Sequence, residues 1–265
     1  MPIATAGSTQ LYYEVRGDGP PLLMIMGATG DAGHFSTVAD ELADEFTVVT
    51  YDRRGNSRSP RPPEWSTTTV EEQADDAAAL LRTLELTPAA VFGTSNGAIY
   101  ALGLLIRDPE VVSAAILQDP PMFGVVEQPE PVREALRGLI EEGMAAGGPP
   151  VALERFWRLA AGDENWETLD SDLRERMLGN AETYFDIELW PSVDYLPDAA
   201  TLQAIETPTQ LLRTTPTPPH IAAISNGLAQ RLGVEVAELA ATHTPYQDHP
   251  HELAGAIRSF LGRVS

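Results

Sequence analysis

The sequence predicts an α/β protein, a doubly wound and mostly parallel sheet with a helical cap insert. Three observations lead there. Short apolar runs alternate with amphipathic helical segments towards both ends of the chain. The runs are apolar throughout, as in strands buried on both faces. The stretch 122–200 breaks the alternation and holds no strand-like run.

The elements follow in order. Leu11–Val15 and Leu22–Met26 are β-rich runs split by the turn cluster Gly17-Asp18-Gly19-Pro20-Pro21. Phe46–Tyr51 reads as the next strand. Val70–Leu86 has apolar residues at helical spacing and acidic residues in its first turns. Ala89–Phe92 is a short buried strand, followed by a helix over Asn96–Ile106. Ala114–Leu117 is a further strand. After the insert come strands at Thr209–Leu212 and Glu235–Leu239, with a helix starting at His220 between them, and a closing helix over Glu252–Leu261. Residues 1–121 and 201–265 then form one core domain, and 122–200 its cap.

The insert holds Trp157, Trp166 and Trp190, three of the four tryptophans, with Phe156, Tyr184, Phe185 and Tyr195. Gly147-Gly148-Pro149-Pro150 breaks it. An all-helical insert in an α/β chain reads as a cover over the sheet's ligand edge. Its aromatics either form the insert's own core or line a substrate cavity. Trp157, Trp190, Tyr184 and Phe123, with Tyr246 near the chain's end, are the candidate binding side chains.

Composition excludes several chemistries. The 265 residues include 17 basic side chains, all Arg, against 39 acidic ones, a formal net charge of −22, and no Cys. Disulfides, thiolate metal sites and a Cys nucleophile are therefore excluded, and without Lys so is Schiff-base chemistry. So strong a negative charge disfavours nucleic acid and anionic membrane surfaces. The apolar runs are too short to span a bilayer, and the N-terminus does not read as a signal peptide. A cytoplasmic protein is expected, a monomer or homodimer whose partner is a small molecule.

Gly93-Thr94-Ser95-Asn96-Gly97 lies between a strand and a helix, the context that gives G-x-S-x-G its meaning. A serine there sits on a sharp turn. Its flanking glycines let the backbone pass closely, and the helix N-terminus behind it favours negative charge. A serine nucleophile needs a base. Of His34, His220, His243, His249 and His251, His243 comes directly after the last strand, which brings it to the same sheet edge as Ser95, while His249 and His251 flank Pro250 at the start of the closing helix. His34 lies in an early loop that borders that edge. Asp248, five residues after His243, is one candidate acid, and Asp194 in the insert is another.

These motifs resemble the α/β-hydrolase superfamily from end to end. The supporting pieces are Leu22–Met26 followed by Gly27-Ala28, the segment Tyr51-Asp52-Arg53-Arg54-Gly55-Asn56-Ser57-Arg58-Ser59, the Ser95 turn, and Thr242-His243 before the final helix. Most of that superfamily carries its acid after the penultimate strand, where this chain has Thr217. Some branches carry it after the strand that follows the nucleophile helix, and there this chain has Gln118-Asp119-Pro120-Pro121. The fungal zearalenone lactonases are similar in this respect, and in the pattern His243-Thr244-Pro245-Tyr246-Gln247-Asp248-His249-Pro250. Their acid is Glu where this chain has Asp119.

The resemblance implies a serine hydrolase acting on an ester or lactone. Ser95, His243 and Asp119 would form the triad, and the N–H of Asn96 with that of Gly27 or Ala28 the oxyanion hole. It calls for no cofactor and no metal. Arg53, Arg54 and Arg58 are expected to be packing elements of their loop, with Asp52 pairing locally. Two rivals share the fold: a cofactor-free perhydrolase or C–C bond hydrolase, and a non-catalytic ligand receptor.

Overall fold

The computed structural model describes residues 2–264. Eight strands form one sheet: β1 (Ile3–Ala6), β2 (Thr9–Arg16), β3 (Pro21–Ile25), β4 (Thr47–Tyr51), β5 (Ala89–Thr94), β6 (Val112–Gln118), β7 (Thr209–Thr215) and β8 (Val236–Ala240). Their order is β1-β2-β4-β3-β5-β6-β7-β8. β2 is antiparallel to both its neighbours, and the strands from β4 to β8 run parallel. The chain leaves β3 towards β4 on one side and crosses back to β5 on the other. In open α/β sheets, ligands bind beyond the strand ends at such a reversal.

The central strands read as continuous apolar runs because helices cover both faces. Leu22, Leu23, Met24 and Ile25 are all fully buried. β1, which the sequence reading lacks, is a four-residue edge strand whose alternate side chains are exposed, so it carries no apolar run.

On the sheet faces lie α1 (Ser36–Leu42), α2 (Val70–Thr83) and α3 (Asn96–Arg107). Thr69 caps α2 by accepting the Glu72 N–H at 3.1 Å. α2 ends short of the expected Leu86 because Glu85 adopts a positive φ of 57°. Between β6 and β7 the described residues contain helices and no strand: α4 (Glu130–Gly147), α5 (Pro149–Ala161), α6 (Asp163–Thr168), α7 (Ser171–Gly179), α8 (Ala181–Thr183), a π-helical turn (Tyr184–Glu188), α9 (Leu189–Val193) and α10 (Ala199–Gln203). The Gly-Gly-Pro-Pro break joins α4 to α5. The two helices meet closely at Gly143, where a Cβ would come within 2.4 Å of the Ala152 Cα. The chain finishes with α11 (Pro219–Leu232), α12 (Pro245–Asp248) and α13 (Pro250–Val264). α13 starts two residues before the expected Glu252, with Pro250 in its first turn, where a missing N–H costs nothing. No helix among the described residues is long and apolar enough to cross a membrane.

Candidate active site

Ser95 occupies the turn between β5 and α3 with φ 54° and ψ −125°. That conformation is strained for a non-glycine residue and recurs at functional turns. Its neighbours make the turn possible. A Cβ on Gly97 would come within 2.1 Å of the Ile25 carbonyl oxygen, and one on Gly93 within 2.4 Å of the Gly97 oxygen. The Ser95 N–H donates to the Gln118 carbonyl at 2.8 Å, which ties the turn to the end of β6.

Asp119 follows directly at that strand end, with φ 45°. Its carboxylate is buried and accepts from Gln118 Nε2 at 2.6 Å and from Thr214 Oγ1 at 2.5 Å. The Nδ1 of His243, in the loop after β8, lies 3.5 Å from its Oδ2. That is the outer limit of a hydrogen bond.

The other candidate acids are engaged elsewhere. Asp248 accepts the Thr242 N–H at 3.0 Å and lies 3.1 Å from His249 Nδ1. Burial works against its charge, but these hydrogen bonds hold its carboxyl below the usual range. Asp194 is half-exposed and pairs with Arg133 at 2.5 Å. Thr217, in the place most of the superfamily gives its acid, donates its hydroxyl to the Thr214 carbonyl.

Gly27 and Ala28 flank Ser95. A Cβ on Gly27 would come within 2.7 Å of the Ser95 Cβ, so no larger residue fits there unshifted. The Gly30 N–H donates to the Gly27 carbonyl at 3.1 Å. In a planar trans peptide the Ala28 N–H points away from that carbonyl, outside the turn.

A buried polar network stands behind Ala28 and Asn96. The guanidinium of Arg53 donates to the Met26 carbonyl at 2.6 Å, to the Ala28 carbonyl, and to Glu188 Oε2 at 2.7 Å. Asn56 Nδ2 donates to the other Glu188 oxygen at 2.7 Å. The Asn96 side chain accepts from the Tyr184 hydroxyl at 3.1 Å and donates to Ser192 Oγ. Burial opposes the Arg53 charge, and the adjacent Glu188 more than compensates. Arg54 pairs with Asp76 at 2.6 Å, and Arg58 with Asp52 at 2.8 Å, so all three arginines serve packing.

Ser95, His243, Gly27 and Ala28 line one cleft of about 350 Å³, counting its open mouth. Trp157 and Tyr246 face them across it. Tyr184, Phe123 and Trp190 are placed elsewhere. Tyr184 packs between Phe156 and Phe185, with ring centroids 5.8 and 5.4 Å away. Phe123 is buried in the core just after β6, and Trp190 lies under the Arg137 guanidinium at 4.8 Å. Phe156, Ala160 and Ala161 line the cleft instead. Phe156 carried a signal, its place beside Trp157 in the insert, whereas the alanines are ordinary helix residues. Glu188 and Ser192 carried none, one being an acid among many. Among the described residues, no group of three or more His, Asp or Glu could hold a metal ion.

This strand order, with a glycine-flanked serine on the turn after β5, is that of the α/β hydrolases, and the chain belongs to that family. The family's sequence model, described as alpha/beta hydrolase fold, matches residues 20–212. The chain is 33% identical over 258 residues to the uncharacterized hydrolase YraK of Bacillus subtilis, covering 95% of this chain and 92% of that protein. It is 24% identical to the zearalenone hydrolase of Bionectria ochroleuca, over 95% and 94% of the two chains. Among solved structures, it resembles an enol-lactonase from Burkholderia xenovorans LB400 with a TM-score of 0.79 at 20% identity, over 98% and 100% of the two chains. It likewise resembles a thermophilic esterase from Thermogutta terrifontis, with a TM-score of 0.77 at 24% identity, over 98% and 96%. These structural likenesses speak to the fold.

Proposed function

We propose that the protein is a serine hydrolase of uncharged esters or lactones of medium size, working through an acyl-enzyme. The observation that carries this reading is Ser95, on its strained turn, sharing a cleft with a histidine whose far nitrogen faces a buried carboxylate. His243 takes the Ser95 proton as the hydroxyl attacks the carbonyl carbon. Asp119 holds the imidazole by its Nδ1–H and stabilises the imidazolium that forms. The N–H groups of Asn96 and Ala28 receive the oxyanion, a contribution of about 10²–10³ in rate per donor. His243 then returns the proton to the leaving alcohol. Water, deprotonated by the same histidine, releases the acid. The helices between β6 and β7 act as a cap, and Phe156, Trp157 and Tyr246 supply the apolar walls. The zearalenone hydrolase, as named, lends support to hydrolysis, and the enol-lactonase, as named, to lactone chemistry.

The test is Ser95→Ala, assayed on p-nitrophenyl butyrate and with a fluorophosphonate probe. The expected result is a fall in kcat of about 10⁴-fold or more and loss of labelling. Full activity in the variant would overturn the assignment.

A further inference from the structure

Trp157 lines the Ser95 cleft, is 5% exposed, and its Nε1–H has no hydrogen-bond partner among the described residues. His34 stands beside it, with ring centroids 6.3 Å apart, and is 6% exposed. The Nδ1 of His34 lies 3.1 Å from the Asp31 backbone N, whose N–H it accepts in one tautomer, and 3.3 Å from Asp31 Oδ1. A neutral imidazole accepting at Nδ1 carries its proton at Nε2, and a charged one carries a proton there as well. In that tautomer and in the charged ring Nε2 is a donor, and it too has no partner among the described residues. Tyr246 packs edge-on against His34 and lines both the Ser95 cleft and a second, more open cleft of about 450 Å³, counting its open mouth, whose wall includes His34.

Buried donors are nearly always paired, and each one left unpaired costs free energy. Two neighbouring unpaired nitrogens, Trp157 Nε1 on the Ser95 cleft and His34 Nε2 on the second, are matched by an acceptor that arrives with the substrate. We propose that Trp157 and His34 form a specificity subsite donating to a second oxygen of the substrate, remote from the carbonyl attacked by Ser95. The substrate class is then an ester or lactone bearing a further uncharged acceptor: a ketone, ether or hydroxyl. An anion is poorly served, because no arginine lines either cavity and Asp170 borders the second. This rests on the serine-hydrolase reading. It adds a reason for discrimination, since a site built to donate to a substrate oxygen rejects the analogue that lacks it.

The experiment compares matched esters. On the acyl side, p-nitrophenyl hexanoate is set against its 4-oxo and 5-oxo analogues. On the alcohol side, hexyl acetate is set against its 4-oxo and 5-oxo analogues. The expected result is that at least one oxo ester is favoured in kcat/KM by about 3- to 10-fold, the worth of one neutral hydrogen bond. Trp157→Phe, which keeps the ring and removes the donor, should bring that ratio close to one. A flat ratio in the native protein, or one that Trp157→Phe leaves unchanged, overturns the proposal. Should that variant fail to fold, His34→Phe reads the same ratio with the same two outcomes. Ser95→Ala on the parent esters separates the failures. Activity surviving it overturns the serine reading and the subsite together. An inactive Ser95→Ala with flat ratios overturns the subsite alone.

Discussion

His243 has two carboxylates near it in sequence or space, and their hydrogen bonds divide the roles. Asp119 Oδ2 accepts from Thr214 Oγ1 and Gln118 Nε2 and is also the oxygen beside His243 Nδ1, while Asp248 is committed to the Thr242 N–H and to His249. Asp119→Asn keeps the shape and removes the charge that fixes the imidazole's tautomer. It is expected to lower kcat by about 10⁴-fold with little change in KM. Asp248→Asn, in the same steady-state assay, should cost far less. An equal or larger fall from Asp248→Asn would reassign the acid. The candidate nucleophile could be located from the sequence because its signal is local: five residues between a strand and a helix. The carboxylate could not be singled out from the residues alone, because its position depends on β6, β7 and β8 lying side by side. The resemblance to one branch of the superfamily pointed to Asp119 where spacing left Asp248 and Asp194 open.

Among the elements, the loop after β3 and the π-helical turn form one mechanical unit. Arg53 clamps the Met26 and Ala28 carbonyls and is itself clamped by Glu188, both fully buried. Removing one partner of a buried pair leaves the other charge uncompensated, at a cost of about 3–5 kcal/mol. Glu188→Ala is therefore expected to lose that much stability in urea unfolding, and a loss below about 1 kcal/mol would show that the pair is idle. The central strands were legible because burial on both faces leaves continuous apolar runs. β1 was not, being a short edge strand. Nor was α1, a seven-residue helix whose buried Val38, Ala39 and Leu42 are too few to set a period. The region between β6 and β7 was legible as helical. Which of its aromatics face the cleft was not, since that depends on how α5 lies over the sheet edge. Hence Trp157 reaches the cleft while Tyr184 turns back to Asn96.

At the scale of the whole molecule, the net charge of −22 acts on stability through its range. The arginines are heavily used: Arg158 alone lies within 3.0 Å of Glu154, Asp163 and Glu167. Even so, carboxylates outnumber arginines 39 to 17, so most of the negative surface is unneutralised and repels itself. Salt screens both effects, but not equally. The Debye length falls from about 10 Å at 0.1 M to about 3 Å at 1 M. Ion pairs in contact lie near or inside that length, and each exposed pair contributes only about 0–1 kcal/mol in any case. Repulsions spread over the surface act across longer distances and are cut first. Raising NaCl from 0.02 to about 0.5 M at pH 8 is therefore expected to increase Tm by about 2–4 °C, the shift that about 1 kcal/mol produces in a chain of this size. Calorimetry across a chloride series reads this directly. A Tm that falls with added NaCl would mean that the contact pairs, and not the excess of negative charge, govern the electrostatics of the fold.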